Sequence, residues 1–332
     1  MRRRCKFAAF HRNAIQSVVQ RTFFIVGPTA TGKSELAADV AQEIGAEIIN
    51  ADAFQIYRGL DLLAAKPNAA MLAKAPHHFI GMVPLQEEMN VEKFRATAQS
   101  AIDEIRSRKK LAIVVGGSGL YVKALTHGLS SVPESDPILR AKLNAMSLDE
   151  LRSRLIAFDP PAARKIDMKN RRRLVRALEI CSLTGKSVSA QRAEWNTLAG
   201  VGDPGRPGST IPAAGVFVFR DRDELYTRIN NRVEAMFENG VIEEVRTAEA
   251  TSSTASKMIG LHEIRELLAG KMSILQCIAA IQQATRRYAK RQLTWFRRQS
   301  NFELLNLSLL SYNEAAKWIL LRTRRSFAHK DD

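Results

Sequence analysis

Apolar residues in this chain keep to two spacings. Thr22-Phe23-Phe24-Ile25-Val26 and Leu111-Ala112-Ile113-Val114-Val115 are short unbroken runs, as a strand buried on both faces requires. Ala46-Glu47-Ile48-Ile49-Asn50-Ala51-Asp52 reads as a strand that ends in a carboxylate, and Gly215-Val216-Phe217-Val218-Phe219-Arg220 alternates in and out as a sheet strand does. Between these runs the period lengthens. Residues 35–41 follow helical spacing, and Val91, Phe94, Ala98, Ile102 and Ile105 predict a helix over 91–108 that packs on the sheet. Leu225, Ile229, Val233, Met236 and Phe237 predict an amphipathic helix over 222–238, with Gly240 just past it where a helix cap belongs. This alternation predicts an α/β fold, a parallel sheet with flanking helices.

Between Pro133 and about Pro212 the strand-like runs stop and helical patterns rich in Arg and Lys take over. Arg140, Lys142, Arg152, Arg154, Arg164, Lys165, Lys169, Arg171, Arg172, Arg173 and Arg176 are set against only Asp149, Glu150, Asp159 and Asp167 up to that point. A solvated helix mixes its signs; this bias predicts an inserted helical domain that grips phosphates. Residues 200–215, rich in Gly and Pro, read as the irregular return to the core. Residues 247–256 read as a long, mobile loop delivering Lys257-Met258-Ile259-Gly260-Leu261. The helix after it carries Arg286, Arg287, Tyr288, Lys290, Arg291, Gln292, Trp295, Phe296, Arg297 and Arg298, a mixture that suits single-stranded nucleic acid, although Trp295 also fits a core position. The expected organisation is a basic N-terminal extension (1–21), the first part of a core (22–132), the helical insertion (133–212), the second part of the core (213–312), and a C-terminal helix and tail (313–332).

Composition narrows the partners. The 332 residues are 45% hydrophobic, enough for a sizeable core, and carry a formal net charge of +16. A nucleotide enzyme needs no such excess; a nucleic acid or an anionic membrane surface would explain it. No apolar run approaches the ~18 residues of a membrane span, so the chain is expected to be soluble. Cys5, Cys181 and Cys277 are scattered singly, which argues against a zinc site or disulfide scaffold and suits a reducing compartment. Residues 1–34 contain no acid, whereas Arg2, Arg3, Arg4, Lys6, Arg12 and Arg21 are basic. That resembles an organellar transit peptide; with no cleavage signal evident, a basic extension on a cytoplasmic protein is the expectation.

The chemistry is concentrated in Gly27-Pro28-Thr29-Ala30-Thr31-Gly32-Lys33-Ser34, a G-x-x-x-x-G-K-[ST] run with a strand before it and a helix after it. Its glycines let backbone N–H groups turn inward, and with the helix N-terminus these hold a di- or triphosphate. Lys33 would reach the phosphate oxygens, and the Ser34 hydroxyl would sit on a Mg²⁺. Asp52, at a strand end, is placed over that site in an open parallel sheet, with Lys66 a second cation near the same edge. His77-His78 is expected to be structural or RNA-facing, since no third metal ligand is near. The run ending at Val115 continues as Gly116-Gly117-Ser118-Gly119-Leu120-Tyr121, where a P-loop ATPase or GTPase would place an aspartate for Mg²⁺. The cradle is present without the usual phosphoryl-transfer kit, which points to diphosphate bound as a leaving group, with bond breaking on its carbon side.

These residues resemble the tRNA dimethylallyltransferase (tRNA isopentenyltransferase) family of bacterial type, from about Phe23 to Arg298. The likeness is carried by the P-loop, Asp52 with Gln55-Ile56-Tyr57-Arg58-Gly59, Ala65-Lys66-Pro67, Val115 to Tyr121, Arg173-Leu174-Val175-Arg176-Ala177-Leu178-Glu179, and Lys290-Arg291-Gln292-Leu293-Thr294-Trp295-Phe296-Arg297. The resemblance implies a P-loop NTPase-like core with an inserted helical domain on the anticodon stem-loop. It implies transfer of a dimethylallyl group from dimethylallyl diphosphate to N6 of adenosine 37 of tRNA, with Mg²⁺; a monomer with no membrane partner is the accompanying expectation. Asp52 would take the amine proton, Lys33 and the P-loop the diphosphate charge, and Ser118 the family's usual threonine role of placing the reacting groups. Asp52, Ala53, Phe54, Gln55, Ser118, Arg140, Arg172, Arg173, Leu174, Val175, Arg176, Lys257, Gly260, His262, Lys290, Arg291, Gln292, Trp295 and Arg297 match tRNA-contacting positions.

Four departures stand out: Ala53 for the usual serine, Leu63-Ala64 for Gly-Thr, Ser118 for threonine, and Leu261 for tyrosine. They bear on fine positioning, at ~1 kcal/mol net for a hydrogen bond and ~3 with a charged partner. Two alternatives follow: an adenylate isopentenyltransferase acting on free nucleotides, and a catalytically weak P-loop tRNA-binding protein. A P-loop kinase is a more remote one.

Overall fold

The computed structural model describes residues 22–129, 133–190, 214–299 and 302–328. Its sheet contains β1 (Thr22–Val26), β2 (Glu47–Asn50), β3 (His77–His78), β4 (Ala112–Gly116), β5 (Ala214–Phe219) and β6 (Glu303–Asn306) in the order β3-β2-β4-β1-β5-β6, all parallel. The apolar runs supply β1, β2, β4 and β5. The edge strands β3 and β6 have too few apolar residues to be read from the pattern. In register, Phe24 pairs with Val114 on one side and Gly215 on the other.

Strand residues divide by parity between two cores. Phe24, Val26, Ile49, Val114 and Phe217 face one cluster; Phe23, Ile25, Ile48, Ile113, Val115, Val216 and Val218 face the other. Period-two alternation with both faces covered gives the unbroken apolar signature. The second cluster is closed by α1 (Lys33–Ile44), through Leu36, Ala37, Val40 and Ala41. The first is closed by α2 (Val91–Ser107), through Phe94, Ala98, Ile102 and Ile105, and by α3 (Gly119–His127), through Tyr121, Val122 and Leu125. Phe24 and Phe94 are fully buried; truncating such a side chain to alanine costs ~3–5 kcal/mol.

By Cα proximity the described residues divide into two compact units, those within 1–126 together with 211–332, and those within 127–210. The smaller holds α4 (Pro137–Ala145), α5 (Leu148–Phe158) and α6 (Arg171–Thr184) around Leu143, Leu151, Leu155, Leu174, Val175, Ala177 and Leu178. The larger continues through α7 (Arg222–Glu238), α8 (Val241–Arg246), α9 (Leu261–Leu268), α10 (Ile274–Phe296) and α11 (Tyr312–Ala328). Leu225, Ile229, Val233 and Met236 of α7 are buried as their spacing predicts. Gly240, with φ 91°, starts α8 as well as following α7.

One expectation is overturned. The 247–256 segment is anchored to the core: the Ser252 amide donates to Leu85 O at 2.7 Å, the Thr254 and Tyr57 hydroxyls are 2.7 Å apart, and Ala255 is fully buried. The basic extension expected at 1–21 lies outside the described residues, as does all but the end of the 200–215 return. Among the described residues no helix is long and apolar enough to cross a membrane.

Candidate active site

Because every strand is parallel, the loops after β1, β2, β4 and β5 leave the sheet on one edge. They bring together the 27–34 loop, Asp52, the 117–118 turn and Arg220. The first loop is fixed by Gly27 N–H donating to Gly116 O at 3.2 Å and by Thr31 Oγ1 donating to Pro28 O at 3.0 Å. Ala30 at φ 65° and Gly32 at φ 93° turn the chain into α1. No side chain caps that helix, which leaves its first amides for an anion.

The loop is ringed by cations. Lys33 Nζ donates to Pro28 O at 3.1 Å. Arg232 Nη1 reaches Thr29 Oγ1 at 2.8 Å, Arg228 Nε reaches Ala30 O at 2.9 Å, and Arg220 Nε reaches Thr31 O at 2.9 Å. Three arginines thus grip three successive loop residues. Burial pushes the Lys33 ammonium down to about 8; Asp52 opposes this and Arg232 adds to it. Burial lowers Arg232 too, against the pull of Asp52, and its Nε is buried without a partner among the described residues. Positive groups packed this closely, with donors left over, fit a polyanion. Sequence reasoning missed all three arginines. Arg228 and Arg232 stand four residues apart on what reads as the solvent face of α7; that i,i+4 pair was the available signal.

Asp52 Oδ1 accepts from Phe54 N–H at 2.9 Å and Gln55 N–H at 3.4 Å, so the carboxylate shapes its own turn. Its Oδ2 has no hydrogen-bond partner among the described residues. Ser118 Oγ accepts from Ala53 N–H at 3.1 Å, which ties the β4 turn to the Asp52 turn. Burial, and after it the Asp52 charge, hold the Tyr288 phenol pKa well above its ordinary value, so it stays protonated. A Cβ at Gly116 would lie 2.2 Å from Ala51 O, which explains why no aspartate ends β4.

Two cavities meet here, sharing Thr29, Asp52, Ala64 and Arg232. One is walled by Lys33, Ser34, Glu35, Gln55 and Arg228; the other by the apolar side chains of Phe54, Leu63, Val233, Met236, Met258, Ile259 and Ile281 together with the polar Thr285 and Tyr288. The arrangement can hold a diphosphate with an apolar group attached and set a carboxylate between them.

Other expected site residues fall elsewhere. Lys66 does not line either cavity: its ammonium bonds to Tyr57 O at 2.5 Å, Gly59 O at 3.0 Å and Asp61, and it organises the 57–61 turn. His78 Nε2 pairs with the buried Glu47 carboxylate at 2.9 Å and His77 Nδ1 with Ala75 O, both structural roles. Gln292 is 5% exposed and its amide is spent inside the protein, so an RNA contact from that side chain is ruled out. Trp295 is half-buried, lying against Gly119 and edge-on to Phe296. Gly260 is buried with φ 97°. Lys257, His262, Lys290, Arg291 and Arg297 are exposed.

In the smaller unit, Leu174 and Val175 are 0% and 4% exposed and belong to its core, which removes their side chains from any RNA contact. Arg172 and Arg173 are exposed in the first turn of α6, where the helix dipole disfavours cations by ~0.3–1 kcal/mol. An anionic partner would offset that cost. Arg140 and Arg176 each bond at 2.6 Å to Glu179, which is 0% exposed, so two guanidinium groups are held in place from behind.

The sequence matches the family described as IPP transferase over residues 55–299. It is 43% identical to tRNA dimethylallyltransferase 1 of Citrifermentans bemidjiense over 83% of this chain and 88% of that protein. It is 40% identical to tRNA dimethylallyltransferase of Akkermansia muciniphila, over 84% and 90%. Among solved structures, the full-length tRNA isopentenylpyrophosphate transferase of Bacillus halodurans superposes with a TM-score of 0.64 at 32% identity, covering 92% of this chain and 98% of that one. A eukaryotic dimethylallyltransferase, described as acting on tRNA, superposes with a TM-score of 0.72 at 25% identity over 94% and 79%.

Proposed function

The chain belongs to the IPP transferase family, and from that premise we propose that it transfers a dimethylallyl group from dimethylallyl diphosphate to N6 of adenosine 37 in tRNA, releasing diphosphate. The observation that carries this reading is the junction of a cation-ringed phosphate cradle with an apolar cavity, Asp52 being common to both.

The P-loop amides, Lys33, Arg228 and Arg232 hold the diphosphate, and the apolar cavity takes the reacting carbon end. The target adenine leaves its stack to reach the site. Its amine attacks C1 of the allyl group while the C1–O bond breaks and both electrons leave with the diphosphate. Asp52 Oδ2 accepts the amine proton. The cations, already in place, stabilise the charge that develops on the leaving group. The hard hydroxyl oxygen of Ser34 borders the same cavity and would hold a Mg²⁺, which usually takes one or two protein oxygens beside phosphates. Bound there, it would neutralise diphosphate charge.

In the smaller unit the exposed Arg172 and Arg173 and the half-buried Arg140 and Arg176, and in the larger the exposed Lys257, His262, Lys290, Arg291 and Arg297, supply groups for RNA binding, in keeping with a net charge of +16. One copy supplies every group named at the site, so the working unit is taken as a monomer, in the cytoplasm. The test is incubation with dimethylallyl diphosphate and either an anticodon stem-loop or AMP. A gain of one dimethylallyl group on the stem-loop, read by mass spectrometry, is expected. Equal transfer to AMP would favour an adenylate isopentenyltransferase, and no transfer to either would leave a binding protein.

The Lys33 environment adds a pH prediction. A lysine free at about 8 is charged below that pH and neutral above it, while a bound diphosphate favours the ammonium. Diphosphate affinity should therefore be full below pH 8 and fall as pH rises above it, with proton uptake on binding. Calorimetry of pyrophosphate binding in buffers of different ionisation enthalpy reads this. Lys33→Arg, which does not titrate in this range, should remove the alkaline fall and leave only the change due to the ionisation of pyrophosphate itself.

A further inference from the structure

Gln292 sits on the helix whose exposed residues face outward as Lys290, Arg291 and Arg297, yet its own side chain turns into the protein. Its Oε1 accepts from the Thr29 amide at 3.0 Å, and its Nε2 donates to Gly117 O at 2.8 Å. Thr29 is the third residue of the phosphate loop. Gly117 precedes Ser118, whose hydroxyl holds the Ala53 amide beside Asp52. One carboxamide therefore joins the diphosphate cradle to the turn that carries the carboxylate.

The fit leaves no slack. A Cβ at Gly117 would lie 2.2 Å from Gln292 Nε2 and 2.9 Å from Gly27 O, so the residue facing the amide must be glycine. Each half of the carboxamide has a distinct job that only glutamine or asparagine chemistry can do at once, and asparagine is one methylene shorter. A carboxylate would accept from Thr29 but offer nothing to Gly117 O. The Thr29 hydroxyl is separately held by Arg232. The third loop residue is thus fixed at both its amide and its side chain before any ligand arrives.

We propose that Gln292 is a positioning residue for the transfer reaction: it locks the phosphate loop in register with the Ser118–Asp52 turn, so that diphosphate binding delivers the allyl carbon to the carboxylate. It acts through Thr29 and Gly117 without touching either substrate. The proposal rests on reading the cradle as the diphosphate site. It replaces the RNA-contact role that resemblance alone assigns to this glutamine.

The test uses Gln292→Met, which keeps volume and helix-forming tendency but has neither hydrogen bond, and Gly117→Ala, which displaces an intact Gln292. Pyrophosphate affinity by calorimetry, KM and kcat for dimethylallyl diphosphate, tRNA affinity and thermal unfolding are measured on the full chain. Both variants are expected to lose at least tenfold in pyrophosphate affinity, with kcat down by about ten- to a hundredfold, since small misplacements at a reacting centre have effects of that size. Their tRNA affinity stays within twofold of wild type. Hydrogen exchange at the 27–32 segment should quicken in both. Gln292→Glu should fall between wild type and Gln292→Met, because it keeps the bond from Thr29. The proposal is overturned if tRNA affinity falls while pyrophosphate affinity holds, or if neither changes. If Gln292→Met fails to fold, Gly117→Ala decides alone on the same readouts. Wild-type protein that binds no pyrophosphate would instead refute the assignment of the cradle.

Discussion

Asp52→Asn is expected to lower dimethylallyl transfer by ~10²–10⁴-fold, the usual contribution of a positioned general base, with tRNA affinity unchanged. Asparagine is the informative substitution because its carbonyl oxygen can still accept from the Phe54 and Gln55 amides, as Asp52 Oδ1 does at 2.9 and 3.4 Å. The turn then survives and only the proton acceptor is lost. Asp52→Ala removes both and should also cost stability, at ~1–3 kcal/mol for the amides left unpaired. A second consequence concerns Lys33, whose ammonium Asp52 supports. In Asp52→Asn the lysine should lose its proton at lower pH than in wild type, so pyrophosphate affinity should begin to fall below pH 8. Single-turnover transfer to an anticodon stem-loop, gel-shift affinity and the pH profile check these points together. Transfer within about fivefold of wild type in Asp52→Asn would mean that the carboxylate only holds the turn.

The sheet and the cradle were legible because each rests on a local rule. An unbroken apolar run is a strand with both faces covered, and Gly27 to Ser34 between a strand and a helix is a phosphate loop. Asp52 followed from strand-end geometry alone. The residues that escaped are those whose meaning is set by what lies across from them. Arg228 and Arg232 share α7 with Leu225, Ile229 and Val233, and their i,i+4 spacing marks a shared basic face without telling whether it meets water or the phosphate loop. Gln292 lies amid basic and aromatic residues and takes its neighbours' reading, although burial reverses it. Lys66 erred the other way, since the carbonyls of Tyr57 and Gly59 that capture it belong to a turn with no periodic signal. Glu179 reads as one more helix acid, but it is the buried anchor of Arg140 and Arg176.

Arg232→Met is expected to separate function from stability in opposite directions. In the ligand-free protein this guanidinium is half-buried, its Nε lacks a partner, and it stands close enough to Lys33 to weaken that ammonium. Two cations desolvated together are a cost to the fold, and replacing such a group with an apolar one of similar length is often neutral or stabilising by ~1–4 kcal/mol. Arg232→Met should therefore unfold at the same or a higher temperature than wild type. The site loses by the same change. A fixed donor aimed at developing charge is worth ~10²–10³ in rate, and kcat/KM for dimethylallyl diphosphate should fall by that factor. Lys33, freed from its neighbour, should hold its proton to higher pH, moving the alkaline fall in pyrophosphate affinity upward from about 8. Arg228→Met, at a more exposed position, should show the same signs with smaller amplitude. Thermal unfolding with and without pyrophosphate, set beside steady-state kinetics, reads all three effects. The opposite pattern, a lower unfolding temperature with pyrophosphate affinity intact, would make Arg232 a brace for Thr29 and leave the leaving-group charge to Lys33 and the loop amides.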